Sequence, residues 1–182
     1  MMKRRQWMRA AAWAAWGVAG GGAAALGAWT WQRRGGATPA EPAGPPWSLR
    51  LERPEGGWLD MATLRGRPLV LNFWATWCPP CIEELPEIDR FAREHAPLGW
   101  QVVGLAVDSP GPVRQFLARQ PLSFPVGLAG LAGTDLSRAL GNERGSLPYT
   151  VVFDREGRVA HRKLGQTTHA ELSGWAKGMT PR

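Results

Sequence analysis

The sequence predicts a single α/β domain, a sheet covered by helices on both faces. Three observations carry this. The chain alternates strand, helix, strand, helix, and then closes with a hairpin and a helix, the order of an α/β layer fold. Two nearly continuous apolar runs, Leu69 to Trp74 and Val102 to Val107, read as central strands buried on both faces. A Cys-x-x-Cys pair, Cys78 and Cys81, stands directly between the first of these strands and a helix start.

The chain has 182 residues and three parts. Residues 1–34 form a leader, 35–46 a linker rich in Gly, Pro and Ala, and 47–182 the folded domain. The leader begins with a basic stretch and continues from Ala10 to Trp31 without a charge. That length matches the thickness of a bilayer core. Positive charge is heavier before the span than after it, which keeps the N-terminus in the cytoplasm and sends the rest across. The rival is a cleaved signal peptide, with Ala23, Ala24 and Ala25 as the small-residue site and Arg4-Arg5 as a loose twin-arginine signal. An uncleaved anchor is the preferred reading, and both place the domain outside the cytoplasm.

Net charge is +7, yet the leader holds the excess. Beyond residue 34, sixteen basic residues stand against fifteen acidic ones. A nucleic-acid partner requires a basic cluster on the folded domain, and none is present.

Along the domain, Trp47 to Leu51 reads as a strand and Gly57 to Asp60 as its hairpin partner. Met61 to Leu64 is at most a helical turn, and Arg65 to Pro68 a turn. Pro79 to His95 reads as a helix, with Ile82, Leu85, Ile88, Phe91 and Ala92 spaced near 3.6 and Glu83, Glu87, Arg90 and Glu94 mostly on the other side. Pro112 to Arg119 is a helix, Val126 to Leu128 a short strand, and Thr134 to Leu140 a short helix stopped by Gly141. Thr150 to Phe153 and Arg158 to Leu164 form a hairpin around Asp154-Arg155-Glu156-Gly157. Thr168 to Met179 closes the chain as a helix, with Thr167 or Thr168 as its cap.

The two cysteines are three residues apart, too close to make a useful structural staple. Zinc would require a matching second pair, which His95, His161 and His169 do not supply; each reads as a surface residue. What remains is a redox dithiol. Cys78 falls at the helix N-cap, where free N–H groups and the dipole favour a thiolate. Pro79 takes the first helical position, where its missing N–H costs nothing. Cys78 is thus the exposed attacker in a mixed-disulfide exchange and Cys81, one turn in, the resolver. Glu84 shares the buried helix face with Cys81, so its pKa is expected to be raised and it can exchange a proton with that thiol. The alternative is a first-turn Glu that only complements the dipole. A cis bond before Pro148 would set a backbone edge beside the dithiol to pair with a substrate peptide.

Asn72-Phe73-Trp74-Ala75-Thr76-Trp77-Cys78-Pro79-Pro80-Cys81, followed by Glu84-Leu85-Pro86, resembles the TlpA-like branch of the thioredoxin superfamily, which includes the ResA and DsbE (CcmG) proteins. The likeness runs from Trp47 to Met179. It implies a thioredoxin fold with an N-terminal β extension, preceded by the transmembrane or signal segment. It also implies a cis bond at Leu147–Pro148, substrate contacts at Trp77, Leu147 and Pro148, and catalytic roles for Cys78, Cys81 and Glu84, with no cofactor. Where cytoplasmic thioredoxins carry a buried Asp, this chain has Asn72, and Glu84 would take over its proton handling. The family implies a periplasmic, inner-membrane-anchored reductant, recharged by a membrane donor of the DsbD/CcdA kind. Its clients would carry Cys pairs, of the apocytochrome c or copper-site assembly type. Tyr149 departs from the usual small residue after the proline and is expected to alter the groove. A copper-binding assembly protein using the Cys pair is the alternative function. A peroxidase of the peroxiredoxin type is disfavoured, because Thr76 is too close to Cys78.

Overall fold

A computed structural model describes residues 46–179. The leader and nearly all of the linker lie outside these residues. Among the described residues, no helix is long and apolar enough to cross a membrane.

Seven strands form one mixed sheet: β1 (Arg50–Glu52), β2 (Trp58–Asp60), β3 (Leu69–Trp74), β4 (Gln101–Ala106), β5 (Val126–Leu128), β6 (Tyr149–Phe153) and β7 (Val159–Leu164). Their order is β2-β1-β5-β4-β3-β6-β7. β3 lies parallel to β4 and antiparallel to β6, with Asn72 paired to Gly104 on one side and Thr150 on the other. β4, like β3, is buried at every position, as the apolar runs require. The N-terminal hairpin β1–β2 extends the sheet through one antiparallel pairing of β1 with β5.

Four helices complete the layers: α1 (Pro79–His95), α2 (Pro110–Arg119), α3 (Ala132–Ala139) and α4 (His169–Met179). One face of the sheet packs Val70, Trp74, Val102, Ala106 and Val152 against α1, α2 and α4, through Leu85, Ile88, Phe91, Val113 and Leu172. The other packs Leu69, Leu71, Phe73, Val103, Leu105 and Val151 against Trp47, Leu59, Met61 and Leu140. Both faces are covered as expected, but unequally: three helices on one, and short elements on the other.

The first strand is a correction. Trp47 does not enter the ladder; residues 46–49 form a turn closed by Leu49 N–H to Pro46 O, and pairing begins at Arg50. Trp47 is buried because its ring packs on Phe153, 5.7 Å between centroids, and not because it lies in a strand. α2 and α3 each begin two residues earlier than expected, α2 on Pro110 at its first position. Gly141, at φ +104°, ends α3 as read from the sequence. The cap of α4 is Thr168: its Oγ1 accepts from Glu171 N–H at 3.2 Å, while Glu171 Oε2 accepts from Thr168 N–H at 3.0 Å.

Candidate active site

β3 delivers the chain to the end of the sheet, and α1 begins after four intervening residues, 75–78. The intervening loop is pinned by Asp108, just past β4. Its Oδ2 accepts from Thr76 N–H at 2.9 Å and from Thr76 Oγ1 at 2.5 Å. Cys78 is the N-cap of α1, Pro79 its first residue, and the Cys78 carbonyl accepts from Cys81 and Ile82 N–H. The two sulfurs are joined in a disulfide, so the structure represents the oxidised state.

Here one expectation is corrected. Cys78 is not exposed: it is 4% accessible and Cys81 0%. The order of accessibility is as read, but in the oxidised state α1 and its neighbours cover both sulfurs. Trp77, immediately before, is 65% exposed and presents an apolar surface at the site.

Glu84 lies one turn beyond Cys81 and is 2% exposed. Asn72 Nδ2 donates to its Oε1 at 2.7 Å, and Thr167 N–H donates to its Oε2 at 2.7 Å. Burial pushes its carboxyl up to about 7, against the lowering pull of those two bonds and of the Lys163 charge. The raised pKa expected from its helix face is therefore present, with desolvation as the leading cause.

The sequence reading missed the strap that holds Glu84. Residues 166–169, leading into the first residue of α4, bind α1 repeatedly. Gln166 Nε2 donates to Pro80 O and Glu83 Oε2, Thr167 N–H to Glu84, and His169 N–H to Glu87 Oε2. Backbone N–H donors from a distant segment leave no residue signature. Thr150 and Thr167, whose hydroxyls meet at 3.2 Å beneath Asn72, had no flag in sequence beyond their place in β6 and near a cap.

The Leu147–Pro148 bond is cis. It precedes β6, whose Tyr149 pairs with Phe73 toward the end of β3, so the proline loop and the dithiol share one end of the sheet. Pro148 lacks an N–H and its carbonyl accepts from Gly165 at 2.9 Å, so it offers no free backbone group. Leu147, half-buried, makes no backbone–backbone hydrogen bond among the described residues. Tyr149 packs away from the dithiol helix, where it lines a shallow depression with Asn142 and Leu164. It is 2% exposed, on the face away from α1, and its hydroxyl donates to Leu140 O at 2.9 Å.

At the far end of α1, Glu94, His95 and His169 bring donor atoms within 4.8 Å of one another. The histidines are half-buried rather than simply superficial. Arg90 donates to His169 Nδ1 at 2.8 Å and pairs with Glu94, so a protein cation already balances this cluster. His161 stacks on Trp175, 4.9 Å between centroids.

Comparison with known proteins agrees with this geometry. The Redoxin family model matches residues 41–177. The thiol-disulfide oxidoreductase ResA of Bacillus thuringiensis (strain Al Hakam) is 30% identical over 128 residues, 70% of this chain and 72% of that protein. Among solved structures, a thioredoxin-family thiol:disulfide interchange protein from Chlorobium tepidum TLS superposes with a TM-score of 0.65 at 28% identity, covering 75% of this chain and 95% of that one. StoA from Bacillus subtilis superposes with a TM-score of 0.59 at 25% identity, covering 76% and 99%. With the disulfide at the head of α1 and the family match running from before β1 into α4, the chain belongs to the Redoxin family and is a thiol–disulfide oxidoreductase.

Proposed function

We propose that the protein is a reductant of specific protein disulfides, with its domain outside the cytoplasm and its leader as a membrane anchor. The observation that carries the chemistry is a Cys pair at a helix N-cap with a buried carboxyl one turn beyond. In the reduced protein the Cys78 thiolate, stabilised by the first N–H groups of α1, attacks one sulfur of a client disulfide. That S–S bond breaks, the client's other sulfur leaves as a thiolate, and a mixed disulfide forms. Cys81 gives its proton to the Glu84 carboxylate and attacks Cys78 Sγ. The client's second sulfur also leaves as a thiolate; one proton returned by Glu84 and one taken from water make the two client thiols, and the protein keeps a disulfide. Two electrons have moved from protein to client, so a dithiol donor must reset the pair, of the DsbD/CcdA kind by family resemblance.

Substrate recognition falls to Trp77 and to the Leu147–Pro148 loop. The free N–H and C=O of Leu147 suit an extended client segment beside the dithiol, while cis Pro148 anchors the loop. Apocytochrome c and copper-site Cys pairs remain the client classes implied by resemblance. The copper-binding alternative loses support, since His161 is stacked on Trp175 and His169 is engaged by Arg90 and Glu94.

Trapping with Cys81→Ser tests the mechanism: the mixed disulfide stalls on Cys78, and the captured client is released by dithiothreitol. Recovery of no disulfide-linked protein from the native host rejects exchange with protein clients. The direction is tested by the reduction potential of the couple, expected well below the roughly −120 mV of a strong oxidant. A value at that level rejects a reductant.

A further inference from the structure

Asn72 lies at the centre of β3, wholly buried and paired with strands on both sides. Its Nδ2 donates to Glu84 Oε1 at 2.7 Å and to Thr150 Oγ1 at 3.1 Å. Its Oδ1 is buried and has no hydrogen-bond partner. A buried amide oxygen without a partner is costly, and natural cores hold few. The arrangement suits one protonation state of its neighbour, the carboxylate, which accepts at both oxygens.

The acid form poses a different demand. Oε2 faces the N–H of Thr167, a group that can only donate, so Oε2 must accept in either state. An added proton therefore sits on Oε1, where it meets the Nδ2–H of Asn72 donor against donor. The β3 backbone is held in the ladder on both sides and cannot retreat. The soft coordinate is the terminal torsion of Asn72, which is broad for an amide. Half a turn about it brings Oδ1, the atom now without a partner, to face Oε1–H.

We propose that Asn72 is a positioning residue whose side-chain amide turns over with each proton that Glu84 gains or loses, donating to the carboxylate and accepting from the acid. Thr150 follows. Its hydroxyl accepts from Nδ2 when Glu84 is ionised and donates to Oδ1 when Glu84 is neutral, because a hydroxyl serves both roles. Thr167 Oγ1, 3.2 Å from Thr150 Oγ1, remains its partner in both states. The other charges facing Glu84 are Lys163 from β7 and Glu171 from α4, which are bonded to each other and so largely offset one another's field. Asn suits this position where neighbouring residue types do not. Asp would add a second buried acid, and Leu would leave the carboxylate with Thr167 as its one donor. A carboxyl that must accept a proton from Cys81 and later surrender it gains a partner adapted to both forms. This role rests on the reading of Glu84 as the proton partner of Cys81.

The test is a pH titration of the full-length oxidised protein by NMR, following the Glu84 carboxyl carbon and the Asn72 side-chain amide from pH 5 to 9. The expected result is that the amide signals move with the same midpoint as the carboxyl. In Glu84→Gln, whose amide must donate to Oδ1, the Asn72 signals should lose their pH dependence and rest at their low-pH position. In Asn72→Leu the carboxylate loses a charge-assisted bond and the acid a neutral one, so the two losses partly cancel and the carboxyl midpoint should move up by less than the roughly tenfold change in proton affinity that loss of the carboxylate bond alone would give. A carboxyl that titrates beside a stationary Asn72 amide overturns the proposal. If the amide turns with Glu84, yet the pH profile of exchange by the reduced protein ignores that midpoint, the switch stands and the role of Glu84 toward Cys81 falls.

Discussion

At the residue scale, Glu84 gives the protein a pH signature of its own. Its carboxyl titrates near 7 in the fold and near 4.5 when unfolded. Between those values the native state holds a proton that the unfolded state has released, so stability falls as pH rises. The effect is complete above pH 7 and amounts to about 3 kcal/mol. Glu84→Gln removes this slope. Urea unfolding of the oxidised proteins should find the variant more stable than wild type at pH 8, with the advantage shrinking toward pH 5, while Cys81 resolves mixed disulfides more slowly. An advantage that does not change with pH would show that Glu84 is not buried as a neutral acid. Tyr149 makes a contrasting case. Its hydroxyl bond to Leu140 O is remote from the sulfurs, so Tyr149→Phe should cost about 1 kcal/mol and leave the exchange rate unchanged.

At the element scale, α1 is held by polar pins as well as by its apolar face. Asp89 is 7% exposed, accepts from Ser123 N–H at 2.6 Å and Ser123 Oγ at 2.7 Å, and pairs with Arg93. It ties α1 to the loop that leads into β5. Asp89→Ala should lower stability by about 1–2 kcal/mol in thermal or urea unfolding, because the Ser123 N–H and hydroxyl lose their charged acceptor. This pin was invisible in the sequence: at 3.6 periodicity Asp89 reads as a flank of the apolar stripe, and its partner lies in a loop without pattern. The central strands β3 and β4 and the helix α1 were legible because continuous apolar runs and a strict helical stripe leave few alternatives. Cys78 as N-cap and Pro79 at the first position were legible because the cap geometry follows from residue type. Tyr149 and Trp47 misled for the opposite reason. Large aromatic residues carry no mark of the side they pack on, and only the sheet register sends Tyr149 away from the dithiol.

At the scale of the whole molecule, the N-terminal hairpin joins the sheet on narrow terms. β1 meets β5 at one paired position, and the join depends on Gly127, where an added Cβ would stand 2.9 Å from Leu51 Cδ1. Gly127→Val should cost about 1–3 kcal/mol by overpacking and expose the hairpin to proteolysis before the rest of the domain. Equal protection of hairpin and core in that variant would argue against the join as described. Leu147 carries a consequence of another kind. Under the proposed function, its free N–H and C=O, at the same end of the sheet as the dithiol, fit a client chain that is stretched out as a strand, which a finished globular domain seldom presents around its own cysteines. Under the proposed function the protein works early in the life of its clients and races their folding. Its effective specificity is then set partly by a clock, by how long each client leaves its cysteine pair on an open stretch of chain.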